Sequence, residues 1–263
     1  MALAAVVLAV CASLACLSLV LAGPSAAQTA PTISFGKGPL AGASSTNPTS
    51  LQFGPDGRLY VAQQDGAIKA YTVKRNAAND YAVTATETII EIQSIPNHND
   101  DGTTAGAPVG KRQVTGLLVE GTAQSPVIYV GSSDPRIGGG EAKGDVNLDT
   151  NSGVISRLTK TASGWEKQDL VRGLPRSEEN HSLNGMQKSG GTLYVTAGGN
   201  TNQGAPSNNF AFLPEVALSA AILSVDLTAI GNTTYNLPTL AGTATPFGGN
   251  DGLNQAKLVS GGP

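Results

Sequence analysis

The chain has 263 residues, and its 16 Lys plus Arg against 19 Asp plus Glu give a formal net charge of −3 at pH 7. This near-neutral balance excludes the basic surface that binding to nucleic acid or to anionic membranes requires. An apolar content of 40% excludes a disordered chain, while 33 Gly, 15 Pro and only 13% charged residues favour a turn-rich β protein over a helical one.

The N-terminal segment has the pattern of an export signal. Residues 2–22 are apolar or small and carry no charge, and small residues follow as far as Ala27. This pattern predicts a signal peptide over residues 1–27 and a secreted or periplasmic mature protein with no membrane segment. The alternative is a retained membrane anchor, because a run of 21 such residues could span a bilayer. Cys11 and Cys16, the only cysteines, lie in this segment, so no disulfide is predicted in the mature chain.

Three stretches of the remaining chain resemble one another. Each has an apolar strand, a Gly or Pro turn, and a second strand centred on Tyr-Val, with the tyrosines at Tyr60, Tyr129 and Tyr194. The tyrosines are separated by 69 and 65 residues. A third apolar strand follows in each unit, over residues 66–71, 153–158 and 221–226. A fourth strand is predicted in the first two units, over residues 88–92 and near 168–171.

Four strands in each repeated unit are typical of a propeller blade. The sequence therefore predicts an all-β fold, a β-propeller of four-stranded blades, with a β-sandwich as the alternative. Residues 28–263 supply about three and a half units at the observed spacing, whereas a propeller closes with about four to eight blades. The prediction is thus an incomplete ring of about three to three and a half blades, the N-terminal portion of a longer protein truncated at its C-terminus.

Three motifs carry a resemblance to a known family. The segment 170–181 places Gly-Leu-Pro before His181, residues 54–57 form a Gly-Pro-Asp-Gly turn before a Tyr-containing strand, and residues 112–118 read Arg-Gln-Val-Thr-Gly-Leu-Leu. In this order, and on repeats of this size, the motifs resemble the soluble sugar dehydrogenases that depend on pyrroloquinoline quinone (PQQ), the glucose/sorbosone dehydrogenase family. The resemblance covers roughly residues 45–230.

The resemblance implies a six-bladed propeller that transfers a hydride from a sugar hydroxyl carbon to PQQ. It assigns His181 as the general base and Gln113 to the pocket for substrate and cofactor, and it implies a small-molecule sugar as the partner. Asn200 is expected at the same pocket. The chemistry suits a histidine, which can accept a proton near neutral pH. The alternative is that His181 is a loop histidine making ordinary hydrogen bonds.

Some positions depart from the family pattern. The carboxylate that orients the family's base corresponds to Gly199, and an arginine after the base corresponds to Met186. Asn200, Glu178 or Glu179 could orient the base instead. The cations that hold PQQ and the calcium loop come from later blades in the family. A non-catalytic propeller that binds carbohydrate or protein is therefore an alternative function, and a calcium-dependent lactonase-like hydrolase is a weaker one.

Two further segments are candidate parts of a site. Asp145, Asn147 and Asp149 place side-chain oxygens at every second residue, as calcium loops do, although a polar turn before the next strand is the alternative. The insertion 200–215 is predicted to form a wall of the pocket beside His181, with buried anchors at Phe210 and Phe212.

Overall fold

The computed structural model describes residues 33–98, 104–105, 111–136, 151–210, 215 and 217–237. It divides the chain after Lys37, and residues 33–37 have no regular secondary structure. The signal-peptide segment 1–27, the calcium candidates and Phe212 lie outside the described residues, so these assignments stay predictions. Within the described ranges, no helix is long and apolar enough to cross a membrane.

From Gly38 onward the regular secondary structure of the described chain is nearly all β-strand, which confirms the all-β prediction. Thirteen strands are present in the described residues: β1 Leu40–Ala41, β2 Pro48–Phe53, β3 Leu59–Gln63, β4 Ile68–Ala77, β5 Asp80–Ile89, β6 Gln113–Gly121, β7 Pro126–Ser133, β8 Gly153–Thr161, β9 Gly164–Leu174, β10 Leu183–Ser189, β11 Thr192–Ala197, β12 Ala221–Asp226 and β13 Tyr235–Asn236. The helical elements are short: 3₁₀ turns at Glu91–Ser94 and Asn208–Phe210, and helix α1 at Leu227–Ile230.

The strands form three sheets, and the strands of each sheet are consecutive in the chain except for β13, which joins sheet 2. Sheet 1 has the order β1-β5-β4-β3-β2, sheet 2 the order β13-β9-β8-β7-β6, and sheet 3 the order β10-β11-β12. Consecutive strands from β2 to β5, from β6 to β9 and from β10 to β12 pair antiparallel, as meanders. The two-residue strands β1 and β13 add in parallel to the outer strands β5 and β9.

The fourth strand of the first unit begins earlier than the sequence predicts. Residues 88–92 were the expected strand, whereas β5 spans Asp80–Ile89 and Glu91–Ser94 form a 3₁₀ turn. The tight hairpin after β4 explains the difference. Ala77 pairs with Asp80 across it, and Asn79 takes a φ of 59°, a left-handed conformation that Asn tolerates better than most residues. The chain therefore reverses at once instead of crossing a longer loop.

Sheet 2 is buried on both faces. One hydrophobic cluster joins sheet 1 to sheet 2 and a second joins sheet 2 to sheet 3. In β7, Ile128 and Val130 belong to the first cluster and Tyr129 to the second, because successive side chains of a strand point to opposite faces. Burial on both faces is the physical reason why β7 reads as a continuous apolar run instead of an alternating one.

The three tyrosines occupy corresponding places in the three sheets. Each lies in the second strand of its meander: Tyr60 in β3, Tyr129 in β7 and Tyr194 in β11. Tyr60 packs in the cluster between sheets 1 and 2, and Tyr129 in the cluster between sheets 2 and 3. Tyr194 is 41% exposed. Each buried tyrosine thus faces the sheet that follows it in the chain.

An ion-pair cluster links the outer part of sheet 1 to the β8–β9 hairpin of sheet 2. The carboxylate of Glu87 pairs with Arg58 and with Lys160, each at 2.5 Å, and accepts a hydrogen bond from Trp165 Nε1 at 2.9 Å. Burial acts to raise the pKa of Glu87, but the hydrogen bonds from Arg58, Lys160 and Trp165 outweigh it, so its pKa falls from 4.5 to about 2. The carboxylate therefore stabilises the contact between the two sheets in its ionised form.

Glu87→Gln is expected to lower the free energy of unfolding by about 1–2 kcal/mol at pH 7, a value reduced for the partial exposure of the group. Because the folded pKa lies below the unfolded one, this stabilisation is complete above about pH 5 and is lost as pH falls towards 2. Urea unfolding of both proteins at pH 7, 4 and 2.5 measures it. The control is Glu166→Gln, at an exposed carboxylate in the β8–β9 hairpin. A difference between wild type and Glu87→Gln that does not change with pH would contradict the prediction.

Candidate functional site

The predicted site residues lie at one end of sheets 2 and 3. Gln113 begins β6, and Ser133 ends β7. His181 lies just before β10, and Gly199 lies two residues after the end of β11. Since neighbouring antiparallel strands run in opposite directions, the start of one strand and the end of the next lie at the same end of the sheet. The four residues therefore lie at one end of the strands, Gln113 and Ser133 as terminal strand residues and His181 and Gly199 in the adjoining loops.

The side chain of Gln113 is buried and connects sheet 2 to the loop that contains His181. Only 1% of the residue is exposed. Its Nε2 donates to the hydroxyl of Ser133 at 3.1 Å and to the backbone carbonyl of Glu179. Since Glu179 is two residues before His181, Gln113 fixes the position of the segment that leads to the candidate base. The structure thus brings Gln113 and His181 into one region through this loop.

Hydroxyl groups extend the same network. Ser133 donates to the hydroxyl of Ser182 at 3.0 Å, and Thr115 Oγ1 lies 3.4 Å from that hydroxyl and donates to the carbonyl of Leu183. Ser133 and Ser182 are completely buried. Buried polar groups that are all hydrogen-bonded define a single arrangement of the backbone, so this network holds the residues on either side of His181 in one conformation.

The imidazole of His181 is oriented by a backbone carbonyl. Its Nδ1 lies 2.9 Å from the carbonyl oxygen of Gly199, which also accepts from Ser177 Oγ at 3.0 Å. A carbonyl oxygen can only accept, so Nδ1 carries the proton. In the neutral ring Nε2 is then the atom with the free lone pair. His181 is half-buried, and this tautomer is the one that a general base acting through Nε2 requires.

Phe210 packs on the candidate base. The residue is buried, and its ring centroid lies 4.5 Å from that of His181 with a tilt of 41° between the planes. Phe210 ends the 3₁₀ turn Asn208–Phe210, inside the insertion that follows β11. Phe210 is therefore a buried residue beside His181, as expected, whereas the pocket wall predicted for residues 200–215 stays a prediction, because none of the described residues of the insertion lines the polar pocket described below.

Asn200, which is predicted at the substrate and cofactor pocket, is bound through its backbone to Glu215. It is completely buried and does not line the polar pocket described below. Its backbone N–H lies 3.0 Å from both carboxylate oxygens of Glu215. Glu215 therefore binds the residue directly after Gly199, the position at which the family pattern has a carboxylate and this chain has none. Met186, which replaces the family's arginine, packs against the core between sheets 2 and 3.

A polar pocket of about 470 Å³ lies between the start of β2, β6 and the loop before β10. Five amide side chains, two threonines, a proline and a carboxylate line it: Asn47, Pro48, Thr49, Gln64, Gln113, Thr115, Glu179, Asn180 and Asn184. Atom Oε2 of Glu179 is buried and has no hydrogen-bond partner among the described residues. Amide and carboxylate groups can bind the hydroxyls of a polyol, and the unpaired oxygen is an acceptor for such a donor. His181 follows Asn180 but does not line this pocket.

Three arginines lie next to the same strand ends of sheet 2: Arg112 before β6, Arg136 after β7 and Arg176 after β9. Arg112 and Arg176 are completely buried, and Arg136 pairs with the buried Asp134 at 2.6 Å. Burial lowers the pKa of His98, the positive charge of Arg112 lowers it further, and Asp134 opposes the shift. The three arginine side chains are thus mostly buried and are held by hydrogen bonds or an ion pair. Within the part of the chain that the structure describes, no cluster of three or more His, Cys, Asp or Glu could hold a metal ion.

No family model and no curated protein matches the chain. Among solved structures, it is similar to an iodide structure and a calcium structure of Trichoderma reesei Carbohydrate-Active Enzymes Family AA12. Both are 14% identical and cover 75% of this chain, with TM-scores of 0.42 and 0.41. This chain spans 40% of the length of those structures. At this level of similarity, any function has to be argued from the residues of the chain itself.

Glu215 is the site residue that the sequence analysis missed. In the sequence it is only the end of an insertion, whereas its carboxylate accepts hydrogen bonds from four donor groups of Asn200, Thr201 and Ser219. One signal was present: Glu215 is the only charged residue between 200 and 215. A single charged residue in a polar insertion that is predicted to lie beside a candidate base is a candidate partner for that base.

Proposed function

We propose that this chain belongs to an exported sugar-oxidising enzyme of the PQQ-dependent type, in which His181 is the general base. In this role Nε2 accepts the proton of a sugar hydroxyl, and the quinone, when bound, would supply the acceptor for the hydride of the carbon that bears that hydroxyl. The observation that carries the proposal is the bond between His181 Nδ1 and the Gly199 carbonyl. It supports the role because it leaves the lone pair on Nε2.

The proposal includes a β-propeller as the scaffold. Three consecutive meanders with packed faces support it. So do the corresponding positions of Tyr60, Tyr129 and Tyr194, since a blade must cover its face with the next blade. In such a ring a following blade would cover the exposed side chain of Tyr194.

The described residues do not fit PQQ, the quinone that the resemblance implies. Its carboxylates need accessible cations, but Arg112 and Arg176 are completely buried and Arg136 is bound to Asp134. The resemblance places the cofactor's cationic contacts in later blades. We therefore assign to this chain the base and the polar pocket, and derive no step through the quinone. Calcium stays a proposal on Asp145, Asn147 and Asp149.

The test is a dye-linked assay of aldose oxidation. The protein is expressed from its complete reading frame and incubated with PQQ and calcium, with samples that lack each of them as controls. We expect turnover that requires the quinone and saturates with an aldose. A folded protein that oxidises no aldose in the presence of both additions overturns the proposal.

A second function is favoured by one observation. The polar pocket is rich in amides and contains the unpaired Glu179 Oε2, yet His181 does not line it. A propeller that binds carbohydrate without oxidising it would need only such a pocket. Calorimetric titration with mono- and oligosaccharides separates the two functions. Binding that is weakened by Glu179→Gln, in a protein with no turnover, supports the non-catalytic function.

A further inference from the structure

One peptide group lies between Glu215 and His181. The carbonyl of Gly199 is 2.9 Å from His181 Nδ1, and the N–H of Asn200 in the same peptide unit is 3.0 Å from the Glu215 carboxylate. A peptide unit is planar and trans, so its N–H and C=O point in opposite directions. Fixing the N–H on the carboxylate therefore fixes the direction of the carbonyl that orients the imidazole.

The carboxylate of Glu215 is held firmly. The backbone N–H and hydroxyl of Thr201 donate to Oε1 at 3.0 and 2.6 Å, and the hydroxyl of Ser219 donates to Oε2 at 2.5 Å. Burial acts to raise the pKa of Glu215, but these hydrogen bonds and that from Asn200 outweigh it, so the pKa lies below its ordinary value. The group is ionised at neutral pH, and an ionised acceptor polarises the peptide that it binds.

Glu215 also occupies the space that a side chain at residue 199 would need. A Cβ on Gly199 would lie 2.8 Å from Glu215 Oε1 and 3.3 Å from the Cβ of Ala220. Glu215 can therefore place its carboxylate beside residue 199 only because that residue has no side chain. A negative charge lies beside residue 199 although the residue itself carries none.

The backbone near Glu215 is strained. Leu218 and Ala220 take φ angles of 76° and 48°, which non-glycine residues adopt only where surrounding contacts hold them. Here Ser219 is bound to Glu215, and the N–H of Ala220 donates to the carbonyl of Gly198 at 3.0 Å. Such strain is found most often at functional sites. The positive φ angles thus show that contacts with Glu215 and Gly198 hold this segment in one conformation.

We propose that Glu215 is a positioning residue for His181, which acts through the Gly199–Asn200 peptide in place of a direct carboxylate partner. The proposal rests on the proposed function for its catalytic consequence, but the structural relay can be measured without turnover. The carboxylate binds the amide end of the peptide, and the carbonyl end keeps the proton of the imidazole on Nδ1.

The first test is the tautomer of His181, measured from its ring ¹⁵N chemical shifts by NMR. The protein has only two histidines, so the signals are assigned with a His98→Asn variant. We expect the neutral wild-type ring to carry its proton on Nδ1. In Glu215→Gln the amide has lost the negative charge, and the Nε2-protonated form should increase several-fold. Thr201→Val removes one bond to the carboxylate and should cause a smaller change in the same direction.

A wild-type ring protonated on Nε2 overturns the proposal even if no variant folds. A folded Glu215→Gln protein with an unchanged tautomer ratio overturns it as well, and Glu166→Gln, at an exposed carboxylate outside the site, should leave the ratio unchanged. In the oxidation assay, Glu215→Gln should lower kcat about 10- to 100-fold and leave KM within about threefold. If wild-type protein oxidises no sugar, the proposed function fails, and the tautomer measurement still decides the role of Glu215.

Discussion

Replacing His181 by Asn is expected to lower kcat for sugar oxidation by about 10²- to 10⁴-fold, the usual contribution of a general base. The amide of Asn can still donate to the Gly199 carbonyl, as Nδ1 does at 2.9 Å, so the loop should keep its conformation. It has no counterpart of Nε2, and no group remains to take the proton. KM should change little, because the lost interaction acts in the transition state.

The measurement compares initial rates of dye reduction for wild type, His181→Asn and His98→Asn over a range of aldose concentrations. His98 is the matched control, since it is the other histidine of the chain and lies in a different segment, where it pairs with Thr104 in an isolated β-bridge. Its replacement should leave kcat within a few-fold. Activity of His181→Asn equal to that of wild type would show that another group is the base.

Gly198→Ala is expected to destabilise the protein by about 2–3 kcal/mol, the range of an overpacked site that cannot relax. A Cβ on Gly198 would lie 2.7 Å from the Cα of His181 and 2.8 Å from its carbonyl carbon. Both are backbone atoms, so no side chain can rotate away. The end of β11 would have to separate from the loop before β10, with loss of the bond from Gly198 N to Ser182 O at 2.8 Å.

Chemical unfolding of Gly198→Ala and Gly185→Ala measures this effect. Gly185 lies in β10, next to the same loop, and a Cβ there meets only Thr196 Oγ1 at an ordinary 3.6 Å. The control should therefore change the free energy of unfolding by about 0.5 kcal/mol or less. Equal stability of the two variants would mean that the backbones at Gly198 and His181 are not in close contact. We also expect Gly198→Ala to lower kcat, because it displaces the candidate base.

The strands were predictable because their signals are local. Residues 221–226 were expected as a strand and are β12, and the Tyr-Val segments are β3, β7 and β11. A run of apolar residues ended by Gly or Pro needs no distant partner to be recognised. The prediction of the fourth strand of the first unit was less accurate, because the start of this strand depends on the hairpin at Asn79 and not on hydrophobicity.

The candidate base and its aromatic neighbour were also accessible from the sequence. The resemblance assigned His181, and the length of the insertion after β11 indicated that Phe210 would be close to it. What orients the base was not accessible. The sequence offers Asn200, Glu178 and Glu179 as partners because they are close to His181 or Gly199 in the chain, whereas Glu215 is 34 residues from His181 and becomes its neighbour only on folding.

The amino-acid sequence by itself determined the near-neutral β-rich character of this protein, its repeated strands and the histidine to examine. Tertiary structure decided that the carbonyl of Gly199 receives the imidazole proton and that Glu215 binds the other end of that peptide. Every residue carries a backbone carbonyl, so composition and spacing cannot single one out. Only the folding of β10, β11 and the insertion against one another brings this carbonyl, a distant carboxylate and the imidazole within hydrogen-bond distance.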